Sequence, residues 1–176
     1  MAKLPLVLVA DNIRSAYNVG SLFRTADGAG IEKLVLCGIC PHPRAENDKR
    51  PPYVIERAER AIAKTALGAE KTTQFEYFAD VGEAVAKLKN EGRMIYALEQ
   101  SKDSTNLFQA KLKFPAALVI GQELGGVDKS ILDSCDAILE IPMFGQKDSL
   151  NVSSAAAVVL FWLRSQYWFL PLQSNF

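Results

Sequence analysis

Apolar positions along the chain fall into two alternating rhythms. Short runs rich in β-branched residues recur at LPLVLVA (4–10), KLVLCGI (33–39), QFEYF (74–78), MIYALEQ (94–100), ALVIGQE (117–123) and AILEIPM (137–143). Runs of this length and composition predict strands. Between most of them the spacing turns helical: residues 18–28, YVIERAERAIAKTALGAEK (53–71), DVGEAVAKLKNEG (80–92), DKSILDSCD (128–136) and SLNVSSAAAVVLFWLRSQYW (149–168). Near-continuous apolar strands separated by helices predict an α/β domain, a mostly parallel sheet with helices on both faces.

The first helical stretch raises a question of its own. With a helix opening at Asn18, Val19, Leu22, Phe23 and Ala26 form one apolar stripe, at the i, i+3, i+4, i+7 spacing. Gly20, Ser21, Arg24, Thr25 and Asp27 take the opposite arc, Asn18 sits where an N-cap belongs, and Gly28 and Gly30 are placed to end the helix. By itself this is a capped surface helix with a solvated arginine at the centre of its polar face.

Bulk composition narrows the class without naming a function. A chain of 176 residues with 49% hydrophobic content predicts one globular domain over 1–176. Twenty basic residues balance twenty acidic ones for a formal charge of +0, so any nucleic-acid contact must be a local patch. The opening MAKLPLVLVADN has an apolar run too short for a signal-peptide core, and no run reaches membrane-spanning length, which gives a cytoplasmic expectation. Cys37 and Cys40 form a C-x-x-C beside His42, the only histidine. A zinc site there lacks a nearby fourth ligand, and the sequence CPHP cannot open the helix that a thioredoxin-type pair needs. CPHPRAENDKRPPY (40–53) is the one long loop, of a length often functional or mobile.

Ligands of open α/β sheets lie beyond the carboxyl ends of strands. Three such junctions carry unusual residues: ADNIRSAYNVG after the first strand, GQELGGVD after the fifth and IPMFGQKDSLNVSS after the sixth. None holds G-x-G-x-x-G or a P-loop, so the usual dinucleotide and phosphate markers are missing.

Together the junctions resemble the SpoU/TrmH-type RNA ribose 2′-O-methyltransferases of the SPOUT superfamily, over about residues 7–164. YNVGSLFRTADGAGI is similar to that family's first motif, with Asn18 and Arg24. ALVIGQELGGVD is similar to the second, with Gly121 and Glu123, and ILEIPMFGQKDSLNVSSAAAVVLF to the third, with Ser149 and Asn151.

The resemblance implies an α/β-knot fold with a C-terminal trefoil knot and S-adenosylmethionine as cofactor, held at Leu98 and Glu99, at Gly121, at Ile141 to Met143, and at Ser149 and Leu150. It implies methyl transfer to a ribose hydroxyl with Arg24, Asn18, Glu123, Ser149 and Asn151 as catalytic residues and no metal. A guanidinium stays protonated, so Arg24 is expected to grip a substrate phosphate and stabilise the developing alkoxide, the proton passing to a phosphate oxygen or to water. Asn18, Ser149 and Asn151 would orient that fork and the ribose. Two roles stay open for Glu123, holding Arg24 or bonding the cofactor.

Arg14, Lys64 and Lys147 are candidates for RNA contact. The start so close to the first strand resembles the family's minimal, catalytic-domain-only members, which favours tRNA over rRNA as substrate. The last helix carries Phe161, Trp162, Tyr167, Trp168 and Phe169, more apolar surface than one small domain readily buries. A homodimer through that helix and the knot is the expectation, also implied by the resemblance. Two other readings stand beside the enzyme: a non-catalytic RNA-binding or assembly factor on the same fold, and a nucleotide-binding protein of flavodoxin-like type.

Overall fold

A computed structural model describes residues 2–122 and 125–169. The elements run β1 (Leu4–Asp11), α1 (Ala16–Ala29), β2 (Ile31–Cys37), α2 (Pro52–Ala66), α3 (Ala69–Thr72), β3 (Phe75–Phe78), α4 (Val81–Asn90), β4 (Met94–Leu98), β5 (Thr105–Asn106), β6 (Ala116–Ile120), α5 (Lys129–Leu132), β7 (Ala137–Glu140) and α6 (Val152–Phe169). A 3₁₀ turn at Leu107–Gln109 follows β5.

The strands form one seven-stranded sheet in the order β3-β2-β1-β6-β4-β7-β5, with every ladder parallel. Strand alternation sends successive side chains to opposite faces. Leu4, Leu6, Leu8 and Ala10 of β1 pack with Leu22 and Phe23 of α1, Ile62 of α2 and Leu160 of α6. Val7 and Val9 pack on the other face with Val85 and Leu88 of α4 and Ile131 of α5. Both faces are therefore covered, which is why the strands read as unbroken apolar runs.

All six expected strands are present, but several of them end short of the expected runs. β4 stops at Leu98, β6 at Ile120 and β7 at Glu140, so Glu99, Gly121 and Ile141 begin loops. β5, two polar residues long, carries no apolar pattern and escaped the periodicity. The 53–71 helix breaks at Leu67 and Gly68, both in the left-handed region, and the 128–136 helix shrinks to the single turn of α5.

The start of α1 corrects the expectation for Asn18. Ser15 is the N-cap, its hydroxyl accepting from the Asn18 N–H at 3.3 Å. Asn18 thus stands in the first turn and is not the cap. Gly30, at φ 65, closes the helix, its N–H donating to the carbonyls of Ala26 and Asp27.

α1 lies between two helices. A Cβ at Gly20 would overlap Thr65 Oγ1 and the Ile62 carbonyl of α2, while one at Gly28 would touch the Phe161 ring of α6 at 3.4 Å. No described helix is long and apolar enough to cross a membrane.

Candidate active site

A cavity of about 560 Å³ opens at the carboxyl ends of β4, β6 and β7. Three loops wall it, reached through Leu98, Ile120 and Glu140, and the first turn of α6 closes it with Val152 and Ala155. Leu98, Glu99, Gly121, Ile141, Met143, Ser149 and Leu150 all line it, so the positions expected to hold a cofactor come together in space. Gln100, Gln122, Gly125, Gly126 and Glu140 line it too. Gly125 and Gly126 were visible as the end of GQELGG; nothing in the local pattern separates the other three from ordinary strand-end polar residues.

The loops are tied to one another by side chains. Glu99 Oε2 accepts from the Val127 N–H at 2.9 Å and Oε1 from the Gln100 N–H at 2.9 Å. That carboxylate holds the turn after β6 against the end of β4. The Gly126 N–H donates to the Gln122 carbonyl at 3.0 Å, folding the turn back so tightly that a Cβ at Gly121 would overlap the Gly126 carbonyl. The Gln100 side-chain amide donates to the Asp148 carbonyl, linking the loop after β7 to the loop after β4.

Two asparagines join the first junction to this cavity. Asn151 Oδ1 accepts from the Ser153 N–H at 3.0 Å and from Ser153 Oγ at 2.7 Å, capping α6. Its Nδ2 donates to Asn18 Oδ1 at 3.3 Å across 133 residues of chain. One amide therefore starts a helix with its oxygen and fixes α1 with its nitrogen. Ser149 and Asn151 line the cavity, and Asn18 stands behind Asn151.

Arg24 is exposed and does not line the cavity of its own chain. It lies six residues beyond Asn18, about 9 Å along the helix axis. The structure thus separates this side chain from the other candidates within one subunit. Glu123 lies outside the described residues, as do the side chains of Trp168 and Phe169.

Arg14, Lys64 and Lys147 are exposed. Lys64 Nζ lies 5.8 Å from the centre of the Tyr17 ring, and Lys147 lines a second, shallower recess beside the cavity.

The cysteines serve the core. Cys40 Sγ accepts from the Ile13 N–H at 3.1 Å and donates to the Ala10 carbonyl at 3.3 Å. Burial raises the pKa of the Cys37 thiol and pushes Cys135 up to about 11, so neither is a nucleophile near neutrality. Among the described residues no group of three or more His, Cys, Asp or Glu is arranged to hold a metal ion.

The long loop is anchored. Arg50 Nη2 bonds Asp48 at 2.6 Å and lies 3.0 Å from His42 Nδ1, and the His42 ring stacks on Tyr77 with centroids 4.0 Å apart.

A 23S rRNA (guanosine-2′-O-)-methyltransferase RlmB from a Burkholderia species is 32% identical over 89% of this chain and 58% of its own length. Its counterpart from Neisseria meningitidis serogroup B is 30% identical over 94% of this chain and 60% of its own. The chain thus spans somewhat under two thirds of these curated relatives, whose names specify rRNA where the sequence led to an expectation of tRNA.

Among solved structures, the A. aeolicus TrmH/SpoU tRNA modifying enzyme superposes with a TM-score of 0.75 at 29% identity, covering 92% of this chain and 75% of that one. The Streptomyces viridochromogenes SpoU methyltransferase AviRb in complex with AdoMet gives 0.77 at 21% identity, covering 97% and 61%, a likeness of fold. The model of the SpoU rRNA Methylase family matches residues 5–161, and the chain belongs to that family.

Proposed function

We propose that this chain transfers a methyl group from S-adenosylmethionine to a ribose 2′-hydroxyl of RNA. The observation that carries the reading is the cavity at the ends of β4, β6 and β7. Its volume of about 560 Å³ lies in the range of small-molecule and cofactor sites. The donor set fits the group: Leu98, Ile120, Ile141 and Leu150 offer apolar walls to a purine, and Glu99, Gln100 and Ser149 set polar groups among them. The missing side chain at Gly121 keeps the turn after β6 tight enough to form one wall. Bound there, the cofactor supplies a sulfonium-activated methyl group.

The chain's own residues then have to place the ribose oxygen and take up its negative charge. Asn151, braced by Asn18, sets the cavity edge nearest α1. Arg24 acts as a cationic fork that holds a substrate phosphate and stabilises the alkoxide, its own proton retained. The ribose proton leaves to a phosphate oxygen or to water. Glu123 belongs to the same proposal, as a support for Arg24 or for the cofactor.

Because Arg24 does not line the cavity of its own subunit, the reading requires a second copy to bring it there. Support for such a homodimer comes from large apolar side chains left open: Phe161, on the helix crossing α1 at Gly28, is 52% exposed, and Phe144 in the loop after β7 is 92% exposed. The trefoil knot that the resemblance implies for the C-terminal part is included in the proposal, which commits to RNA as the substrate class.

Incubation with methyl-labelled S-adenosylmethionine and total RNA, followed by nuclease digestion and mass mapping, should yield a 2′-O-methylated nucleoside. Arg24→Lys should lower that yield by at least about a hundredfold, since a lysine cannot make a bidentate grip. Label found only on bases, or none on RNA despite cofactor binding, overturns the assignment.

A further inference from the structure

α2 carries a surface that the core does not use. Ile55, Ile62 and Ala66 are its buried side. On the opposite side Tyr53, Arg57, Arg60 and Lys64 follow one another at i, i+4, i+7 and i+11, which keeps all four within a narrow arc of the helix. All four are exposed, Tyr53 at 72%. Arg60 meets Glu56 at 3.2 Å in a solvent-exposed pair, an ion pair weak enough to yield to a phosphate.

The stripe ends beside the candidate active site. Lys64 lies over the Tyr17 ring, itself 51% exposed, and Thr65 Oγ1 donates to the Tyr17 carbonyl at 2.8 Å. The next residue is Asn18, bonded to Asn151 at the cavity.

We infer that this face of α2, with Tyr17, is a track for the single-stranded RNA flanking the modified nucleotide. The inference rests on the proposed methyl transfer for its substrate and on charge and ring placement for its position. A neutral protein has no overall field to hold RNA, so a local row of cations must do so. Exposed tyrosines at both ends offer faces on which unpaired bases stack. From Tyr53 to Lys64 the helix rises about 16 Å, matching about five nucleotides of a stacked strand at about 3.4 Å each.

The test uses the full chain and a fluorescent oligouridylate, with total RNA as the methylation substrate. Replacing Arg57, Arg60 and Lys64 together by alanine should lower the slope of log affinity against log salt by about 2, roughly 0.7 for each phosphate that is no longer neutralised. KM for RNA should rise about tenfold or more, while affinity for S-adenosylmethionine stays at the parent's value and reports an intact fold. Tyr53→Ala should weaken oligouridylate binding about fivefold or more, and Tyr53→Phe should restore it.

Lys102→Ala with Lys111→Ala, flanking β5 at the far edge of the sheet, is the control and should change nothing. An unaltered salt slope in the triple variant, or an equal loss in the control, overturns the inference and leaves the stripe to a protein partner. If the parent methylates no RNA, the proposed function fails by itself; the oligouridylate measurements still decide the track.

Discussion

Asn151 shows how much one side chain can carry. Its oxygen caps α6 and its nitrogen holds Asn18, and these two jobs separate by mutation. Asn151→Ala should cost about 1 kcal/mol of stability through removal of the cap and lower methyl transfer at least about tenfold. Asn151→Asp keeps the acceptor oxygen but not the donor, so stability should return in urea unfolding while transfer stays low. Recovery of both by aspartate would show that the link to Asn18 has no catalytic weight.

His42 makes a second prediction at this scale. Burial lowers its pKa below the ordinary 6.5, assisted by the Arg50 charge and opposed by the Pro43 carbonyl and Asp48. The unfolded chain therefore binds this proton more readily than the folded one. The His42 contribution is full above pH 6.5 and is lost as pH falls through the lowered value. As the only histidine, it should carry a loss of stability as pH falls below 6.5, and His42→Gln should flatten that part of the profile.

At the scale of elements, α1 sits in a vice whose jaws differ. Gly20→Ala should destabilise by about 1–3 kcal/mol, because its Cβ overlaps α2 backbone that cannot move aside. Gly28→Ala meets only ordinary contact with the Phe161 ring and should be neutral or gain up to about 1 kcal/mol of helix propensity. Thermal melts of the two variants should move apart, and equal shifts would contradict this packing.

Legibility at this scale followed burial. The cores of the six strands were readable because both faces are covered. Their ends were not, since Glu99, Gln122 and Ile141 extend the sequence pattern but turn away into cavity loops. The sequence pattern placed the cap of α1 at Asn18, whereas the helix starts three residues earlier at Ser15, whose hydroxyl reaches the Asn18 amide.

For the whole molecule the decisive matter is the distance between Arg24 and the cavity. In the proposed dimer each cavity works with an arginine from the other subunit, so two inactive variants should rescue one another. Arg24→Ala mixed with Gly121→Val, refolded together, should regain methyl transfer that neither shows alone. No rescue in a mixture that forms mixed dimers would place the chemistry within one subunit and remove Arg24 from it.

What the sequence determined by itself was the kind of element each apolar run forms and most of the residues that line the cavity. Periodicity, caps and glycines act over a few residues, and the three junctions carry their chemistry in order along the chain. The tertiary structure alone decided that β6 inserts between β1 and β4, that Glu99 braces the turn after β6, that Asn151 meets Asn18, and that Arg24 stays outside its own cavity. These are relations between groups up to 133 residues apart. They depend on how packed layers bring distant backbone ends together, a property of the folded chain that no local run of residues contains.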